Sequence, residues 1–187
     1  MKALLRLLPL VTVMAFGLPA QAEPVHFRLS GSEGNGLLPG NGVGGAGFAN
    51  AKDSSATGGL INPRSLYYEP ESQRLVFDFA FQDLSAGGLF RPAVHGGIHL
   101  HGPTPPSQPG ANAGVLYILN TTAAVQPGLK LERGPLREGV TAGRLTGSVV
   151  IQKKDLKALL DGQTYLNIHS KRFPNGEIRG SLLSVTP

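Results

Sequence analysis

Leu75-Val76-Phe77-Asp78-Phe79-Ala80-Phe81 sets Leu75, Phe77, Phe79 and Phe81 on one face of an extended chain, because side chains alternate with a period of two along a strand. Burying four such side chains contributes on the order of 1.5 to 3 kcal/mol each before conformational entropy is counted. This stretch is expected to be a central strand. The chain around it is punctuated by 26 glycines and 15 prolines in 187 residues, too many for long helices. With short β-branched and aromatic runs between the turns, the pattern predicts an all-β, Greek-key-like antiparallel sandwich or barrel of one domain, with one short helix.

Outward from that strand, Val25-His26-Phe27-Arg28-Leu29 alternates cleanly, with Val25, Phe27 and Leu29 inward and His26 at the surface. From Gly31 to Gly47 the chain is mostly Gly, Asn, Ser, Leu and Pro, and reads as a loop over one end of the sheet. Phe48 with its neighbours and Ser65 to Glu69 read as short strands, and Asp78 as a solvent-facing residue of the central strand. Val115 to Leu119 is a nearly continuous apolar run, expected to be covered on both faces or to lie at a sandwich centre. Arg144 to Gln152 is a further strand. Leu156, Leu159 and Leu160 fall at helical spacing, with Asp155 near the start and Gly162 at the end, so a short helix caps an edge of the sheet. Thr164 to His169 and Glu177 to Val185 close the chain as two strands, and Pro174-Asn175-Gly176 between them supplies hairpin chemistry. No repeat of fixed period is visible.

Residues 1–22 are read apart from the domain of residues 23–187. Lys2 and Arg6 precede an apolar run from Leu7 to Leu18 that ends in Ala20-Gln21-Ala22, the pattern of a secretory signal cleaved before Glu23. The product is expected in the periplasm or outside the cell. Its formal charge falls from +5 to +3, since two basic and no acidic residues are lost. Basic residues are scattered without interleaved aromatics, which argues against nucleic acid as a partner. No later stretch is apolar enough to span a membrane. The chain has no cysteine, so it offers neither disulfides nor thiolate chemistry despite the export reading. Its glycine clusters lack the following Lys-Ser or Lys-Thr of a phosphate loop. Asn120-Thr121-Thr122 has the form of a glycosylation acceptor, a short match that arises often by chance.

Chemistry concentrates in Val94-His95-Gly96-Gly97-Ile98-His99-Leu100-His101-Gly102-Pro103, which holds three of the five histidines. On a strand His99 and His101 point one way while Ile98 and Leu100 take the core. Leu166 and Ile168 make the same choice later, sending Asn167 and His169 to the outer face. If the two strands are neighbours, three imidazoles converge. A histidine-only set without thiolate or thioether suits Cu(II), with Zn(II) as the alternative, and the two methionines both lie in the leader. Asn167, Glu177 and Arg179 are candidates to steady the rings; Glu177 and Arg179 read equally well as a cross-strand ion pair.

Ile98-His99-Leu100-His101-Gly102-Pro103, Tyr165-Leu166-Asn167-Ile168-His169-Ser170 and Asn175-Gly176-Glu177-Ile178-Arg179-Gly180 together resemble the CHRD domain, the module repeated in chordin and found singly in bacterial exported proteins. The order and spacing of these blocks extend the resemblance over most of the chain. The family usually carries a Glu-Val-Pro-Pro stretch near its start, where this chain has Gly31 to Gly47. The resemblance implies a β-sandwich. Its His-x-His strand and later histidine are also similar to the copper-side strands of Cu,Zn superoxide dismutase, which implies His99, His101 and His169 as metal ligands with His95 as a fourth. The dismutase's cysteine pair and zinc loop have no counterpart here.

Three functions follow as alternatives. The first is an exported, non-enzymatic protein that binds copper for storage, delivery or protection. The second is a protein-binding or matrix module whose histidines only hydrogen-bond, and the third a small copper oxidoreductase. No nucleophile elbow, cysteine or flanking carboxylate pair suggests other catalysis.

Overall fold

In the computed structural model the described residues are 22–31, 37–39, 49–51, 54–90, 96–108, 110–119, 129–130 and 139–185. The leader, His95, Phe48 and the Asn120-Thr121-Thr122 triplet lie outside them, apart from Ala22 at the leader's end. Among the described residues, twelve strands and one helix follow in the order β1 (Val25–Ser30), β2 (Leu37–Pro39), β3 (Ala49–Ala51), β4 (Thr57–Leu60), β5 (Leu66–Glu69), β6 (Arg74–Gln82), β7 (Ile98–His101), β8 (Val115–Ile118), β9 (Leu129–Lys130), β10 (Gly143–Val150), α1 (Lys153–Leu160), β11 (Tyr165–Ile168) and β12 (Ile178–Ser184).

All pairings are antiparallel, and nine of the strands follow one path, β8-β7-β11-β12-β1-β5-β6-β10-β9, while β2, β3 and β4 pair off it. The path bends into two layers at β1. Val25 and His26 pair with β5, whereas Phe27 to Ser30 pair with β12, so one strand serves both sheets. Neighbours such as β7 and β11, or β1 and β12, are distant in sequence, which is the Greek-key-like character expected. The path stays open among the described residues, so the architecture is the sandwich and not the closed barrel.

Leu75 to Phe81 lies in β6, held between β5 and β10 with β4 on a further segment. Leu75, Phe77, Phe79 and Phe81 are all buried, facing Ile98, Leu100, Leu166, Ile168, Ile178 and Leu182 in one core. On the outer side Asp78 takes Arg144 in a two-pronged ion pair at 2.7 and 2.6 Å. His26 sits at intermediate exposure with its ring tilted over Tyr67.

Two expectations change. The Gly31 to Gly47 stretch is not all loop, because Leu37–Pro39 pairs with Ala49–Ala51, and the latter extends the sheet beside β12. Val115 to Leu119 is not covered on both faces. It supplies β8 at one end of the path, where Val115 is 45% exposed while Tyr117 and Leu119 turn inward. An apolar run alone cannot say which of its residues a sheet end leaves uncovered.

Tyr117 shows what β8 does instead. Its hydroxyl donates to Asp155 Oδ2 at 2.6 Å and accepts the Gln152 N–H at 2.8 Å, fastening the start of α1 to the sheet. Burial, followed by the Asp155 hydrogen bond, pushes the phenol up to about 12. Leu159 is buried beneath the helix, whereas Leu160, expected inward, is at the surface. Tyr117→Phe removes both bonds without a cavity and is expected to lower stability by about 1 to 2 kcal/mol. Urea unfolding followed by circular dichroism measures it.

Candidate metal centre

β7 and β11 lie side by side in the register His101↔Tyr165, His99↔Asn167 and Ile98↔Ile168. Residues opposite one another share a face, so the register turns His99, His101, Tyr165 and Asn167 away from the core together. His169 follows the last residue of β11. Its N–H donates to the Gly97 carbonyl at 2.8 Å and its own carbonyl accepts the Phe90 N–H at 2.9 Å, so its backbone is held from both sides.

The three rings meet. Their centroids are 5.3 Å (His99–His101), 4.8 Å (His99–His169) and 5.9 Å (His101–His169) apart. One nitrogen from each lies within 4.8 Å of the others. Two nitrogens bound to one ion at about 2.0 to 2.1 Å are about 3.3 to 3.6 Å apart at tetrahedral to trigonal angles, so side-chain rotation that closes the longest gap by a little over an ångström brings this set to bonding distance. A buried triad that can hold a metal ion is therefore present.

Hydrogen bonding assigns the lone pairs. Carbonyl oxygens only accept, so His101 Nδ1, 2.9 Å from the Ala113 carbonyl, and His169 Nδ1, 2.8 Å from the Pro174 carbonyl, both carry hydrogen. In the neutral ring Nε2 is then the lone-pair nitrogen of each. His99 Nδ1 lies 3.1 Å from His169 Nε2 and donates to it when no ion intervenes. His101 Nε2 is buried and has no hydrogen-bond partner among the described residues. An orphaned buried lone pair beside two further imidazoles fits a bound ion.

The imidazoles sit on the outer face of the sheet, yet that face is not wet. His99, His101 and His169 are 5%, 7% and 8% exposed. Tyr165 stacks on His101 with rings 4.8 Å apart and nearly parallel, and the Arg179 guanidinium lies 3.5 Å from the Tyr165 ring centre. Arg179 also donates to the Ala111 carbonyl at 2.9 Å, which folds the 111–113 segment over the site. Burial pushes His101 and His169 down from 6.5 to about 4, although the carbonyl on each Nδ1 acts in the opposite sense. Desolvation penalises the imidazolium, so both rings stay neutral and able to ligate in mildly acidic solution.

Of the expected ring-steadying residues, Glu177 goes elsewhere. Its carboxylate accepts from Ser54 Oγ at 2.5 Å, Ser85 Oγ at 2.6 Å and the Ser85 N–H at 3.0 Å, tying two loops to the start of β12. The cross-strand pair with Arg179 is thus not what satisfies this carboxylate. Asn167 Nδ2 donates to the Asn175 carbonyl at 3.4 Å. Its amide fills the space over Gly176, where φ is +119° and a Cβ would come within 2.3 Å of Asn167 Oδ1. The Ala113 and Pro174 carbonyls, and not these side chains, hold the Nδ1 atoms of His101 and His169. Sequence reading missed Tyr165, although it shares the parity of Asn167 and His169.

The family model of the CHRD domain matches residues 49–182, more than two thirds of the 187. The chain belongs to the CHRD-domain family. The match begins at β3, after the Gly-rich stretch. It includes both strands of the CHRD domain that carry the triad. No curated protein and no solved structure matches the chain.

The sign of the pH dependence follows from these shifts. Unfolded imidazoles titrate near 6.5 and the folded ones near 4, so between these values only the unfolded chain takes up the protons. Stability of the metal-free protein is expected to be full above about pH 6.5. It should fall progressively to about pH 4, by roughly 3 kcal/mol per imidazole at most. Urea midpoints across that range measure the loss, and His169→Gln should flatten the curve.

Proposed function

We propose that this CHRD-domain protein is exported and binds one divalent ion through His99, His101 and His169, Cu(II) before Zn(II), to store, deliver or sequester it. The carrying observation is the orphaned, buried His101 Nε2 in a cluster where one nitrogen of each of the three rings lies within 4.8 Å of the others. Three neutral imidazoles favour Cu(II) or Zn(II) over harder and softer ions. With no cysteine, and with both methionines in the first 22 residues, the domain has no soft donor to favour Cu(I). The positively charged and apolar start of the chain supports export, and His95 remains a candidate fourth ligand outside the described residues.

A second reading is a matrix or protein-binding module with a purely structural histidine cluster. The His99–His169 hydrogen bond supports it, since it satisfies two ring nitrogens without an ion. The unpartnered His101 nitrogen counts against it.

Equilibrium dialysis with elemental analysis separates the two readings. One Cu(II) per chain is expected, with affinity lowered at least about 10- to 100-fold in His101→Ala, and an unfolding midpoint raised by saturating ion. Absence of stoichiometric uptake, or uptake indifferent to His101→Ala, leaves the structural module.

A further inference from the structure

Tyr165 is buried to 2% exposure and bears on His101 in two ways, one direct and one through the Ala113 peptide. The rings stack at 4.8 Å with only 7° between their planes, which sets the plane in which His101 lies. The phenol oxygen accepts the Ala113 N–H at 3.1 Å, and the Ala113 carbonyl is the acceptor for His101 Nδ1 at 2.9 Å. Both contacts act on one ring. The stack fixes its orientation, and the anchored peptide fixes which nitrogen carries the hydrogen.

We propose that Tyr165 is a positioning residue of the ion site, holding the 111–113 segment so that His101 presents the lone pair of Nε2 to His99 and His169. The proposal deepens the metal-binding reading and rests on it for its use, though not for its geometry. Arg179 backs the arrangement from the next strand: Arg179 pairs with Asn167 in register, its guanidinium covers the Tyr165 ring, and it donates to the Ala111 carbonyl two residues before Ala113. His169 has no such dependence on Tyr165, because its Nδ1 is directed by the Pro174 carbonyl in a separate turn. A loss of Tyr165 therefore predicts a defect confined to His101. A general packing defect would disturb all three rings.

Tyr165→Phe keeps the stack and removes only the hydroxyl, and Tyr165→Leu removes both. The metal-free proteins labelled with 15N-histidine are compared by NMR, which reads the tautomer of each ring. His101 is expected in the Nδ1–H form in the wild type and as a mixture of tautomers in Tyr165→Phe, with His169 unchanged. Cu(II) affinity is expected to fall about tenfold in Tyr165→Phe and up to about a hundredfold in Tyr165→Leu, with altered electron paramagnetic resonance parameters. Wild-type tautomers for His101 in Tyr165→Phe, or equal changes at His101 and His169, overturn the positioning role. The NMR arm needs no metal, so a protein that takes up no Cu(II) defeats the metal reading alone. If Tyr165→Leu does not fold, Tyr165→Phe decides.

Discussion

The pairing of β7 with β11 is the constraint on which the site depends. In that ladder His99 faces Asn167 and His101 faces Tyr165, while Ile98 and Leu100 meet Ile168 and Leu166 on the core side. A slip of one residue exchanges the faces and drives imidazoles into the apolar layer. Hydrophobic burial of Ile98, Leu100, Leu166 and Ile168 therefore sets the direction of the histidines as well. The same force that closes the sandwich aims the rings.

The outer side of this sheet departs from the usual division of a sandwich into a dry interior and a wet exterior. His99, His101, Tyr165, Asn167, His169 and Arg179 are buried there as a second, polar layer. Such a layer is costly unless its groups are paired. The pairing comes largely from backbone: Pro174 and Ala113 carbonyls for two rings, and the Ala111 carbonyl for the guanidinium. Carbonyls in short turns are fixed acceptors, so they define tautomers that a flexible carboxylate would leave freer. The Glu177 carboxylate, just before β12, is instead occupied by Ser54 and Ser85.

β-strand periodicity was enough to read the core and the site direction from the chain alone. Four apolar residues at alternate positions in Leu75 to Phe81 identify β6, and the parity of His99, His101 and His169 identifies the triad. Both follow from a two-residue repeat that holds wherever a strand has one buried face. Val115 to Leu119 could not be placed the same way, because being last in a sheet is a property of the sheet and not of the strand. The destinations of Glu177 and Arg179 were equally hidden, since their partners lie 92 and 68 residues away in loops.

What the amino-acid order decided by itself was an all-β chain with three histidines of matching parity on two strands. What only the folded chain decided was that those strands are adjacent, that Tyr165 and the 111–113 segment close over the rings, and that carbonyls of two turns assign their protons. The reason is physical. Alternation along a strand is a local property of backbone geometry, whereas adjacency, enclosure and hydrogen-bond partner depend on which distant segments the packing brings together.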